Sequence, residues 1–203
     1  MPKGLQRVTR MVSGVEVERF EADGLLAVTP TQHGDGRGFL SEVYSRRRFS
    51  ELGIDVDFVQ DNHTVSAQRG TIRGLHFQIP PHEQCKLVRV VRGAVLDVVV
   101  DIRRGSPTFG TTTAVELSAE NWRQFFVPVG FAHGFCTLTD GAEVIYKMSG
   151  YYAGEADRGL AFDDPDLAID WPVDLAEAVL SDKDRRHPRL RDLPSYFRYG
   201  PVS

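Results

Sequence analysis

The sequence predicts an all-β protein, an antiparallel barrel or jelly roll with a few short helices at its margins. Between about residues 25 and 150 the chain is a succession of short runs rich in Val, Ile, Thr, Phe and Tyr, residue types that fit a pleated, half-buried surface. Gly, Pro, Asp and Ser separate these runs at spacings too close for the helical crossovers of βαβ units. Helical patterns occur only at the edges, in SRRRFSELG near residue 50 and DLAEAVLSD near residue 178.

In order, the strand-like runs are GLLAVTPT, GFLSEVYS, KLVRVV, AVLDVVVDI, TTAVELS, RQFFVPV, FAHGFCTLT and AEVIYKMSGYY, and RGLHFQ before KLVRVV also reads as sheet. Alternate residues of a strand face opposite sides, so Lys86, Val88 and Val90 share one face and Leu87, Arg89 and Val91 the other. AVLDVVVDI is apolar on both faces except at Asp97 and Asp101. A carboxylate in such a strand is buried and needs a partner, so Asp97 calls for a cationic or hydrogen-bonding neighbour inside the barrel. Arg46, Arg47 and Arg48 form an exposed helical face to which no function is given.

The 203 residues suit one domain, 1–203, with an N-terminal arm over about 1–24 and a polar, Pro-interrupted tail over about 185–203 laid on the surface. With 41% hydrophobic and 26% charged residues the composition is that of a globular chain, and a net charge of −4 argues against a general nucleic-acid binder. Cys85 and Cys136 are too few for a disulfide framework and belong to no C-x-x-C pair, which favours a reducing cytoplasm. No leader-like apolar segment opens the chain and no run approaches the roughly 18 apolar residues of a membrane span, so no membrane partner is expected.

The motifs GDGRGFLSEVYS, FVQDNHTVS, IRGLHFQ, KLVRVVRG, DIRRGSPTFG, LSAENWRQFFVPVGFAHGFCTL, VIYKMSGYY and LSDKD follow one another from about residue 20 to 190. Together they resemble the dTDP-4-dehydrorhamnose 3,5-epimerase family of the cupin jelly-roll superfamily. The resemblance implies a dTDP-4-keto-6-deoxy-D-glucose epimerase acting at C3, with or without C5, through an enolate and without cofactor or metal. A ketone at C4 acidifies C3 and C5, so such an enzyme needs a base on one ring face, an acid on the other and a cation for the enolate oxygen.

On that resemblance His76 is the base, a role suited to its ordinary pKa, and Asp184 fixes its tautomer. Lys86 stabilises the enolate, and Tyr146 is the acid across the ring. His133 and Asp97 are supporting pocket residues. Arg37 and Arg73 contact nucleotide or phosphate, as the guanidinium fork favours, with Lys183 adding charge. Glu42, Gln60 and Asn62 line the thymidine and sugar region, and Phe39 or Phe162 supplies apolar contact. A pocket completed by a neighbouring subunit implies a C2 homodimer. Relatives often carry Gly or Ala where Cys85 stands and Trp where Phe162 stands.

Duller readings exist for each group. His76 alone suits a satisfied structural histidine, Lys86 an edge-strand gatekeeper, Tyr146 a core aromatic with a wet hydroxyl, Asp184 a solvated charge, and Arg73 the partner of an acidic neighbour. Two other function classes are weighed beside the epimerase. A metal-dependent cupin normally uses H-x-H, but Gln78 replaces the second histidine, leaving His82 to substitute. A non-catalytic sugar-nucleotide binding module would have lost the acid or base. A C3-only enzyme, making the D-allo sugar, is the alternative within the family.

Overall fold

In the computed structural model, residues 8–12 and 14–200 are described. In chain order the elements are β1 (Val8–Val12), β2 (Val15–Arg19), β3 (Leu26–Thr29), β4 (His33–Asp35), β5 (Gly38–Leu40), α1 (Arg46–Glu51), β6 (Gln60–Ser66) and β7 (Ile72–Gln78). They continue with β8 (Lys86–Arg92), β9 (Ala94–Asp101), β10 (Arg103–Arg104), β11 (Thr112–Ser118), β12 (Gln124–Val127) and β13 (Phe131–Thr137). β14 (Ala142–Met148), β15 (Asp157–Gly159) and β16 (Phe197–Arg198) complete the set.

Two antiparallel sheets form the jelly roll, one of seven strands in the order β1-β2-β3-β12-β8-β14-β6 and one of five in the order β11-β9-β13-β7-β15. β4 and β5 make a separate hairpin, and β10 pairs with β16 in parallel.

Three apolar layers explain the run patterns. Val88 and Val90 of β8, Val95 and Val99 of β9, Phe125 of β12, Phe135 of β13 and Val144 of β14 meet between the sheets. Lys86 has the same parity as Val88 and Val90 and opens into that interior. The outer face of the five-stranded sheet is covered by the C-terminal segment, where Val98 and Val100 pack with Leu160, Phe162, Trp171, Leu190 and Phe197. β9 is therefore apolar on both faces because both are covered. Under α1, Phe49, Leu52 and Ile54 seal Leu87 and Phe126 on the outer face of the large sheet. A six-residue helix is marginal alone; burying Phe49 is worth roughly 1.5–3 kcal/mol and anchors it here.

Four expectations are corrected. The N-terminal arm over 1–24 is, in its described part, a β1–β2 hairpin that extends the large sheet, with Val15 and Val17 buried. GFLSEVYS is strand only over Gly38–Leu40. DLAEAVLSD is no helix: Val179 bridges to Thr71 in parallel and exchanges backbone hydrogen bonds with Gly70 and Ile72, so an edge of β7 captures the segment. The tail beyond 185 is not simply laid on the surface, because Leu190, Leu193 and Phe197 are buried in the outer layer.

Candidate active site

Arg73 and His76 are three residues apart on β7, which in a regular strand would put them on opposite faces. The register against β13 pairs His133 with His76 but Phe135 with Arg73, so two residues, Gly74 and Leu75, oppose Gly134 alone. This bulge turns Arg73 and His76 to one face and sends Ile72 and Leu75 to the outer layer. It needs glycine at both crossing points. A Cβ on Gly74, whose φ is +129°, would lie 2.6 Å from the Gly134 Cα, and one on Gly134 would lie 2.6 Å from the Arg73 carbonyl oxygen.

Both side chains line a cavity of about 430 Å³, together with Lys86, His133, Tyr146, Lys183 and Asp184. His76 Nε2 donates to Asp184 Oδ1 at 2.7 Å, and the Gly74 amide donates to Asp184 Oδ2 at 3.3 Å. Asp184 is buried, whereas a third of the His76 side chain remains open to the cavity. Burial by itself would raise the Asp184 carboxyl, but the nearby His187 ring, the hydrogen bond and charge of His76 and the Gly74 amide hold it well below the usual carboxylate range. With Nε2 committed, Nδ1 is the basic nitrogen of His76.

A second His–Asp pair lies beneath the first. His133 Nε2 donates to both oxygens of fully buried Asp97 at 3.0 Å, leaving Nδ1 as acceptor for Lys86 Nζ at 3.5 Å. Lys86 Nζ also donates to the His76 carbonyl at 3.3 Å. Burial lowers the Lys86 ammonium from 10.5 to about 8, with Asp97 and Asp157 opposing the shift. Burial also lowers His133, against the pull of Asp97, so that ring is neutral and accepts from a charged lysine. Asp97 thus has the partner its position in β9 called for.

Tyr146 enters from β14 in the large sheet, opposite the sheet that carries His76, and packs on the inner core. Burial raises its phenol, with Asn62 and the charge of Arg73 opposing. Asn62 is its register partner on β6, held through Asn62 Oδ1 by the Gln60 amide at 2.9 Å. Arg73 donates to Ser66 Oγ and the Val65 carbonyl rather than to a carboxylate.

The remaining expected residues are not brought into the cavity of this chain. Arg37 is exposed at the tip of the β4–β5 hairpin and paired with Asp35; Phe39 is 55% exposed and stacked edge-on against Trp122; Glu42 pairs with Arg48. Phe162 is corrected outright. Its ring is buried in the outer layer and its carbonyl accepts from Trp171 Nε1, so it has no place at the cavity wall. Lys183 lines the cavity and pairs with Asp157. His187 and Asp157 escaped sequence reasoning; the D-x-x-H spacing of Asp184 and His187 is the signal that was available.

The H-x-H variant of a metal cupin is not assembled. Gln78 Nε2 donates to the carbonyls of His82 and Tyr151, and its Oε1 accepts from the Ala153 amide. His82 is exposed and faces Glu155. Gln78 is a loop clamp.

Two antiparallel sheets around a polar cavity, with a His–Asp pair, a buried lysine and a tyrosine on the facing wall, define a cupin-type isomerase. The sequence profile described as dTDP-4-dehydrorhamnose 3,5-epimerase matches residues 19–192. An enzyme of that name from Sinorhizobium fredii is 50% identical over 175 residues, 86% of this chain and 89% of its own. The Bacillus anthracis dTDP-4-dehydrorhamnose 3,5-epimerase, solved with TDP and PPi bound, superposes with a TM-score of 0.84 at 46% identity, covering 86% of this chain and 99% of that one. ChmJ, a 3'-monoepimerase from Streptomyces bikiniensis solved with dTDP-quinovose, gives 0.77 at 39% identity, covering 84% and 86%. The chain belongs to the dTDP-4-dehydrorhamnose 3,5-epimerase family.

Proposed function

We propose that this protein epimerises dTDP-4-keto-6-deoxy-D-glucose at C3, with C5 the second carbon that the same ketone acidifies. The observation that carries this reading is the placement of His76 and Tyr146 on opposite sheets of one cavity that Lys86 also lines. Inverting a carbon through a flat enolate needs proton removal on one face and delivery on the other, and two facing walls supply both.

His76 Nδ1 removes the C3 proton, and Asp184 stabilises the imidazolium that forms. Lys86, whose charge Asp97 and Asp157 favour against burial, stabilises the enolate oxygen. Tyr146 returns a proton from the far side. Arg73 and Lys183 face the diphosphate. Proton NMR in deuterium oxide, following C3 and C5 separately, tests the reading. Deuterium at C3 with an inverted product supports it, and deuterium at both with an L-configured product makes the protein a double epimerase. An unexchanged substrate in the presence of folded protein would remove the reading.

Tyr146→Phe is expected to separate the half-reactions. Solvent exchange at C3 of the substrate survives within about tenfold, while inverted product falls about 10²-fold or more; equal losses in both would place Tyr146 outside the reprotonation step.

The same reading includes a cytoplasmic homodimer. The β4–β5 hairpin carries Arg37 and Phe39 away from the chain's own cavity, and Leu40 and Met11 are 75% and 68% exposed. A two-fold mate would cover these groups and receive the hairpin at its own pocket. Light scattering is expected to give two chains per particle; a fully active monomer would exclude a pocket shared between subunits. Among the described residues no helix is long and apolar enough to cross a membrane.

A further inference from the structure

Asp184–Arg186 form a single 3₁₀ turn, and His187 flanks its end. Residues three apart eclipse in that geometry, so D-R-R-H sets His187 Nε2 3.5 Å from Asp184 Oδ1, the oxygen that already accepts from His76. Pro188 restricts His187 to extended backbone, and the Pro188 carbonyl accepts from the Ala161 amide at 2.8 Å, which pins the chain beside the ring. Opposite it stands Gly159, the register partner of His76. A Cβ there would lie 2.3–2.4 Å from three His187 ring atoms, so the glycine is the space the imidazole occupies.

The His187 side chain is only 9% exposed, yet its Nε2 makes no well-formed hydrogen bond among the described residues, the Asp184 carboxylate standing off at 3.5 Å. Buried polar atoms are normally paired, and an exception calls for an explanation. The His76 and His187 rings meet edge to face at 5.5 Å. One ligand atom each from His76, Asp184 and His187 lie within 4.8 Å of one another.

We propose that His76, Asp184 and His187 form a binding site for a borderline divalent transition metal, Zn²⁺ first, whose occupancy disables the His76–Asp184 pair. Two imidazole nitrogens and a carboxylate with one open position are a donor set that zinc accepts, whereas Mg²⁺ and Ca²⁺ require oxygen. Metal–ligand bonds of about 2.0–2.2 Å put tetrahedral neighbours roughly 3.3 Å apart. The His187–Asp184 separation already meets this, and the 2.7 Å His76–Asp184 contact opens by about half an ångström. As the metal–Nε2 bond forms, the His76 Nε2 proton passes through solvent to Nδ1, so the ring binds as a neutral imidazole and its basic nitrogen is consumed; no redox change is involved. The Gly74 amide on Asp184 Oδ2 remains as the outer hydrogen bond that orients the carboxylate.

Only the inhibitory half of this inference rests on the epimerase reading, so binding and turnover are measured separately. Metal-free protein is titrated with Co²⁺, followed by its visible absorption, and with Zn²⁺ by calorimetry, in parallel with the rate. Expected are one ion per chain, tetrahedral Co²⁺ absorption, activity lost in proportion to occupancy and regained with EDTA, and no response to Mg²⁺. His187→Gln, compared with its own metal-free rate, is expected to need at least tenfold more Zn²⁺ both to bind and to be inhibited. Asp184→Asn, inactive by the mechanism above, is read by Co²⁺ absorption alone and also loses at least tenfold. No binding by the unsubstituted protein, or equal binding and inhibition in His187→Gln, overturns the proposal. His187-dependent Co²⁺ binding in a protein without epimerase activity upholds the site and removes only the function.

Discussion

His76→Asn is expected to lower kcat/KM about 10²–10⁴-fold and to abolish deuterium uptake at C3, with dTDP affinity changed less than about twofold. Asparagine keeps a donor for Asp184 and a similar volume, so the surrounding sheet is preserved. What disappears is the basic ring nitrogen opposite the one that Asp184 holds at 2.7 Å. The measurement is C3 exchange by NMR beside calorimetric dTDP binding. Normal exchange in a folded variant would sink the assignment of the base, and parallel loss of nucleotide binding would show that the substitution had damaged the pocket.

Lys86→Met is expected to lower kcat about 10²–10³-fold, the usual cost of losing one preorganised stabiliser of developing negative charge. The pH profile distinguishes this role from a structural one. Burial holds the Lys86 ammonium at about 8 instead of 10.5, so the unsubstituted enzyme loses rate as pH rises past 8 while Lys86 gives up its proton. Stability moves the opposite way. Between 8 and 10.5 the unfolded chain binds the extra proton, so this lysine's contribution to folding becomes more favourable with rising pH across that window. The expected signature is an alkaline fall in kcat with no fall in melting temperature from Lys86, and no such limb in Lys86→Met. An identical limb in the variant would assign the titration to another group.

The β architecture was legible because its cause is local. Alternation in KLVRVV separates Val88 and Val90, facing the inner core, from Leu87, facing the α1 layer. Asp97 announced its partner through the absence of any polar face around it. Asp184 gave no such signal. Its charged surroundings, DKDRRHPR, read as solvated, and only docking of the C-terminal segment buries it. DLAEAVLSD has helix-compatible spacing, but pairing of Val179 with the edge of β7 overrides that preference. The shared facing of Arg73 and His76 was likewise hidden, since strand parity separates them and a bulge recombines them. Arg37, Phe39 and Glu42 illustrate a different gap, because a pattern shared with a family names residues without saying where one chain holds them, and this chain holds these three outside its cavity.

His76 and Asp184 stand 108 positions apart in the chain, and the carboxylate rides on the segment that blankets the outside of the smaller sheet. Every strand of the two large sheets except β15 has been synthesised by Met148. The barrel's hydrogen-bonded frame can therefore be drawn long before the base has its counter-ion. In the proposed mechanism the base therefore takes its counter-ion from a segment made after those strands, and His76 lacks its carboxylate partner until that segment has wrapped back onto β7.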